Sequence, residues 1–553
     1  MKKTIYIILV LIAVSIGACK ESYLEEKPLD KFSPENLLVD KAGFESVIHA
    51  LHVSARDEEL DQVPVMATGT DIAVFGAGDG RFYNNYKEIT PTSGNVNQWW
   101  DWAYTKVIKN ANLIITRAEN PAVKWTDEEK NAIVAEAKFF RAYAYNSLVN
   151  LYGGVPIVDK ELTAPRYDFV RASRLEVLKF IESDLDFAVQ YLPNVVTDVK
   201  KDGRIFKAAA YHLLSEVCIS LGKETGTATY YDKSITSATK VIDGTTGNYK
   251  LMTSRFGDLS RPGDAFSDLF WTGQQNRASG NLETIWALQY EYTTPGGGSG
   301  ANVNVRWWGP KFEDVTAPDG KKLLVNDSLG RSQGGVRPNN YYFYDIWNDD
   351  WNDMRNSKYN IRRTWIWNNP TSPYLRTVVR TVVEGGKMWV LDLNGVKSTK
   401  TIDTMRVLYP QIRKIEGLMK GGPANGRTDN DQYRMRLAET YLLRAEAYFH
   451  KGDLTSAAAD INVVRTRAKA KPATSAQVTL DYILDERARE LTVEEHRRKT
   501  LCRLGVLVER VKRYSAKSKD IEPYHQWFPI PQKAIDANRG AKLSQNPGYP
   551  GAE

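Results

Sequence analysis

Apolar positions recur at helical spacing over residues 100–222. Ile133, Ala137, Phe140, Ala144 and Leu148 fall on one helical face. Thr126, followed three residues later by Glu129, reads as the capping box that opens this helix, and Gly153-Gly154 with Pro156 end it. Leu175, Leu178, Ile181, Leu185 and Ala188 predict a second helix from about Ser173 to Tyr191, stopped by Pro193. Ala209, Leu213, Val217 and Leu221 predict a third from about Arg204, with Gly222 as its stop. A short loop, GTATY, then leads to a helix over residues 230–243.

The pattern returns in the C-terminal third. Tyr441, Ala445 and Tyr448 share one helical face; Gly452-Asp453 makes a turn; Ala457, Ile461 and Val464 line the next helix. Small residues at Ala445 and Ala457 let two helices approach closely while bulky neighbours fill the groove. This order resembles a tetratricopeptide repeat, and residues 207–222 carry a weaker copy. A less regular pair follows, Thr479–Leu491 and then Arg498–Lys512. Between the helical halves, residues 255–430 show little helical period. They hold Gly-Gly pairs, short β-like runs at Thr377–Val383 and Met388–Leu393, and nine of the 14 Trp. Trp365 and Trp367 flank Ile366 as one face of a strand would. The predicted fold is mainly α, with tetratricopeptide-like repeats over 41–254 and 431–553 and a loop-rich, partly β, aromatic insertion over 255–430.

The start of the chain has a different grammar. Lys2 and Lys3 precede a mostly apolar run over residues 4–16, then Gly17-Ala18-Cys19. The run falls short of the roughly 20 residues a bilayer needs, so residues 1–18 read as an export signal. Ile16-Gly17-Ala18-Cys19 looks like a bacterial lipobox, in which Cys19 carries the lipid, with residues 19–40 as a polar tether.

Composition narrows the function. With 553 residues, 42% hydrophobic and 25% charged, the chain is neither disordered nor a disulfide miniprotein. A net charge of +7, or +5 without Lys2 and Lys3, is weak evidence for nucleic-acid binding over so long a chain. Three scattered Cys and six His form no metal-ligand motif, and Cys218 and Cys502 can pair only if the fold joins them.

Several stretches, in this order, resemble the SusD/RagB family of outer-membrane lipoproteins. They are the lipobox with YLEEKPLDKFSPEN, NQWWDWAYTKVIKNANLII (97–115), AEAKFFRAYAYNSLVNLYGGVPIV (135–158), NDMRNSKYNIRRTWIWNNP (352–370), RLAETYLLRAEAYFHKGD (436–453), ILDERARELTVEEHRRKTLCRLG (483–505) and WFPIPQKAIDANRGAKLSQNPGY (527–549). The resemblance implies a SusD-like superhelix with an irregular lobe. It implies a lipid anchor facing the cell exterior, an oligosaccharide or polysaccharide ligand and a SusC-like TonB-dependent transporter as partner. It implies a binding protein, not an enzyme, with no cofactor, metal or catalytic residue.

A glycan site wants aromatic planes for sugar C–H faces and polar side chains for the hydroxyl rim. Two regions have that composition. One runs from Asp71 through Asp79, Arg81 and Asn84 to Trp99 and Trp100; the other holds Trp286, Tyr290, Tyr292, Trp307, Trp308, Tyr341 and Tyr342. Trp307-Trp308 is the preferred platform, while Trp102 and Tyr104 read as core. Asp349, Asp350 and Asp353 read as an acidic turn with Arg355 as partner, rather than as calcium ligands or a catalytic pair. Residues 494–499 read as a solvated helix face. The alternatives are a peptide- or other nutrient-binding RagB-like protein, a surface-anchored glycoside hydrolase, for which no GxSxG or HExxH motif exists, and a pure repeat adaptor.

Overall fold

The structure, a computed structural model, describes residues 33–58, 63–78, 84–194, 203–291, 294 and 302–552. The leader and Cys19 lie outside them. Helix α1 spans Lys41–Asp57, and the Asp40 carboxylate caps it by accepting the Gly43 N–H at 2.9 Å. Helix α2, Gly94–Asp101, continues through a π-helical stretch, Trp102–Ile108, into α3, Lys109–Arg117. The predicted capping box opens α4, Asp127–Tyr152: the Glu129 N–H donates to Thr126 Oγ1 at 3.2 Å and the Glu129 carboxylate accepts the Thr126 N–H at 3.0 Å. Ser173 and Glu176 open α5, Arg174–Tyr191, in the same way.

Helix α6 spans Lys207–Thr225 and α7 spans Ala228–Ile242. The predicted stop at Gly222 is corrected: α6 runs on and ends at Gly226, whose φ of 67° suits a left-handed cap. Gly222 has another role. A Cβ there would sit 2.5 Å from the ring of Tyr231 on α7, so the glycine sets how closely these helices pack.

After the insertion come α8, Leu437–His450, α9, Leu454–Arg467, and α10, Leu480–Leu491. Ala445 and Ala457 are fully buried where α8 meets α9. Consecutive helices pack in series: α4 on α5, α5 on α6, α6 on α7, α7 on α8 and α8 on α9. The contact of α7 with α8 bridges the whole insertion, so both helical halves form one stack. The predicted helix from Arg498 to Lys512 is two: α11, Arg497–Arg503, and α12, Leu507–Tyr514, parted where Gly505 takes a φ of 70°.

Short antiparallel strands organise the lobe: β1 Ala73–Phe75, β2 Thr284–Leu288, β3 Val336–Pro338, β4 Ile361–Arg362, β5 Thr381–Glu384, β6 Lys387–Leu391, β7 Lys397–Ile402, β8 Gln411–Ile412 and β9 Gln432–Arg436. β1 pairs with β3, placing Val74 opposite Arg337. β2 pairs with β9, which leads directly into α8. β5, β6 and β7 form a three-stranded sheet; β7, with the sequence KSTKTI, lacks the apolar alternation that would have revealed it. Trp365 and Trp367 are buried on either side of Ile366, which is 43% exposed.

Buried ion pairs fasten the lobe to the helices. Glu490 on α10 accepts from Arg355 at 3.0 Å, from Arg436 at 2.7 Å and from Arg467. Arg355 also grips Asp353 and Glu486, and Arg436 grips Glu283 and Glu494. In the acidic turn Asp353 takes the expected partner, Arg355, while Asp349 pairs instead with Arg465 at 2.7 Å. The expectation for residues 494–499 is overturned. Arg497 and Arg498 are each only 1% exposed: Arg497 is bound to Asp71, while Arg498 donates to the carbonyls of Val65 and Thr68. Their partners lie some 430 positions away in sequence, beyond the reach of any local pattern. Cys218 and Cys502 are buried free thiols.

Candidate ligand surface

The structure withdraws most of the candidate residues from solvent. Asp71 is fully buried, accepting Arg497 at 2.6 and 2.9 Å and Arg510 at 2.8 Å. Burial pushes its carboxyl up, but the two guanidinium groups prevail and hold it at about 2. It is a structural anion with both oxygens occupied, not a partner for a sugar hydroxyl. Asn84 is also committed: Oδ1 accepts the Phe75 N–H at 2.8 Å, and Nδ2 donates to the carbonyls of Phe75 and Gly78 at 2.7 and 3.1 Å. It clamps the loop that follows β1. Arg81, with Asp79 and Tyr292, lies outside the described residues.

The aromatic candidates are corrected in the same way. Trp99 is wedged edge-on against Trp102 and His496, and Trp100 packs against Tyr104 and Tyr152. Trp286 is fully buried against Phe139, Phe140 and Tyr143 of α4, with ring centroids 5.3–6.0 Å apart. Tyr290, Trp308 and Tyr342 are buried as well, at 4%, 2% and 2% exposure. Trp99, Trp100, Trp286 and Tyr290 complete the core of the helical stack, while in the lobe, whose loops and short strands offer no long apolar helix face, Trp308 and Tyr342 supply the core. Tyr341 is half-buried but engaged: its hydroxyl donates to Asp485 at 2.6 Å and its ring stacks on Tyr514 with centroids 3.9 Å apart.

Trp307 is different. It lies on a one-turn helix, Asn304–Trp308, where successive side chains diverge, so Trp308 enters the core while Trp307 is only partly buried at its edge. Its ring lies close over Gly335: a Cβ on that glycine would come within 2.5 Å of Cε3. The Gly335 carbonyl in turn accepts the Gly76 N–H at 3.0 Å, so β1's exit loop and the 331–335 segment form one floor. Polar groups flank it. The Gln333 N–H donates to the Arg306 carbonyl at 2.8 Å, and Arg406 Nε donates to the Gln333 carbonyl at 3.1 Å. The Arg306 guanidinium donates to the Asn425 carbonyl at 3.5 Å. An aromatic plane at the core's edge, beside a segment tied together by Arg306, Gln333 and Arg406, suits a flat ligand with a hydroxylated rim. Sequence reasoning found Trp307 but missed its chain neighbour Arg306, and it missed Gln333 and Arg406, which come from two separate segments with no shared motif.

A helical-repeat scaffold carrying an irregular lobe with an aromatic, basic surface defines a class of binding proteins. The chain belongs to the SusD/RagB family: the SusD family model matches residues 282–549, and a second model, "Starch-binding associating with outer membrane", matches residues 22–219. SusD-like protein P25 of Formosa agariphila is 25% identical over 97% of both chains. Two solved structures share the fold. A laminarin-binding SusD-like protein superposes with a TM-score of 0.65 at 22% identity, over 92% of this chain and 99% of its own. Surface glycan-binding protein A of Bacteroides thetaiotaomicron, in complex with laminarihexaose, gives 0.67 at 18% identity with the same coverage.

Proposed function

We propose that this protein is a glycan-binding lipoprotein of the outer membrane that captures oligosaccharide outside the cell and passes it to a SusC-like TonB-dependent transporter. The observation that carries the glycan reading is Trp307, a partly buried ring seated over Gly335 beside a segment in which Gln333 is hydrogen-bonded to Arg306 and Arg406. The reading draws support from relatives named for binding starch, laminarin or laminarihexaose rather than for a reaction. Among the described residues no helix is long and apolar enough to cross a membrane, so a captured ligand would need a separate pore.

The test is calorimetry against a polysaccharide panel that includes laminarin and starch. Trp307→Ala is expected to weaken the best ligand at least about tenfold, about 1.4 kcal/mol. Unchanged affinity would remove Trp307 from the site. Saturable peptide binding with no glycan response would replace sugar with peptide. The anchor has its own test: Cys19→Ser is expected to move the protein from the membrane fraction to the soluble fraction, and retention in the membrane would refute lipidation there.

A further inference from the structure

A second aromatic shelf stands on the lobe, apart from Trp307. Tyr344 and Trp351 are 40% and 48% exposed, and their ring centroids lie 6.5 Å apart with planes inclined at 44°. The Arg363 guanidinium lies 6.0 Å from the first ring centroid and 5.3 Å from the second. Nη2 of Arg363 donates to the Phe343 carbonyl at 2.7 Å, while Nε is buried with no partner among the described residues. Asn356, 8% exposed, donates from Nδ2 to the Trp351 carbonyl at 3.0 Å, and its Oδ1 is likewise buried and unpartnered.

The turn carrying Trp351 is fixed to the repeat stack. Asp350 accepts the Lys471 N–H at 2.8 Å and the Asn352 N–H at 2.9 Å, and Asp349 is paired with Arg465 of α9. These bonds pre-set the loop, so binding there would lose little conformational entropy. The other exposed side chains of residues 340–360 are all polar: Asn340, Asp345, Asn348, Asp349, Asn352 and Lys358.

We propose that Tyr344, Trp351 and Arg363 form a second carbohydrate subsite that takes a neutral pyranose ring. Two rings in a polar field match a ligand with one apolar C–H face and a hydroxyl rim. They do not match a protein partner, which needs a patch of about 800 Å² per side. Arg363 stacks beside both rings and uses its end nitrogens on backbone carbonyls, so it enriches the aromatic faces as a cation–π partner instead of recruiting an anion.

This proposal rests on the carbohydrate reading, and the experiment separates the two. Saturation-transfer NMR is run on the full chain with methyl glycosides of glucose, galactose, mannose and xylose as probes, suited to millimolar affinities. The expected result is a signal in the wild type that falls partly in Trp307→Ala, falls partly in Tyr344→Ala/Trp351→Ala, and vanishes when all three are combined. Trp351→Phe should preserve the signal of this shelf. Complete loss in Trp307→Ala alone overturns the second subsite and leaves the first. A signal that ignores Trp307→Ala and vanishes in the double variant keeps the second subsite and overturns the first. A wild type silent to every glycoside overturns both. Thermal unfolding of each variant, expected to match the wild type because these side chains are surface-exposed, excludes loss of fold as the cause.

Discussion

Replacing Glu490 by glutamine is expected to lower stability by about 3–5 kcal/mol, read as a shift in the guanidinium chloride midpoint. One carboxylate there serves three arginines: Arg355 from the lobe, Arg436 at the end of β9 and Arg467 at the end of α9. All four side chains are essentially without solvent contact. A glutamine keeps the shape but removes the charge, and its NH₂ group faces cations. The remaining acids, Asp353, Glu283, Glu486 and Glu494, would then have to balance the buried positive charge. A shift below about 1 kcal/mol, the range of an exposed pair, would mean that the network does not behave as a buried one.

Acid is expected to unfold the protein by the same route. Burial pushes the Glu486 carboxyl up, but Arg355, Arg489 and Arg465 outweigh it and hold it at about 2. Asp71 is held at about 2 by Arg497 and Arg510 against the same burial. Glu136, buried too, is brought to about 2 by hydrogen bonds from His52 and Arg204. In the unfolded chain these groups titrate near 4, so as pH falls the unfolded state takes up protons first. The stability they supply is complete above about pH 5 and drains away toward pH 2, at about 2–3 kcal/mol for each such group. The melting temperature should therefore hold from pH 7 to 5 and fall steeply below 4. A melting temperature that stays flat down to pH 3 would refute this account.

The parts of the fold legible in the sequence are those governed by local physics. Thr126 with Glu129, and Ser173 with Glu176, mark helix starts within a residue because capping is settled over four positions. Ala445 and Ala457 announced a close helix pair before any coordinates. The site was less legible. Trp307 and Trp308 are identical neighbours, and that Trp307 stays at the edge of the core while Trp308 enters it depends on packing such as the close approach of Gly335, 28 residues downstream of Trp307. Asp71 looked like a free acid because its arginines lie more than 400 residues along the chain. Trp351 was one tryptophan among nine, and its exposure follows from where Arg465 and Lys471 pin its turn.

The contact of α7 with α8 has a temporal meaning as well. The two helices are neighbours in space but are separated by residues 243–436, so in a chain that emerges from its N-terminus α8 arrives only after the whole lobe. The N-terminal helices must wait, with one flank uncovered, until the lobe has been synthesised and has delivered the missing half. Closure of so wide a loop is slow. The helical stack can therefore close only once the full length of the lobe is in place.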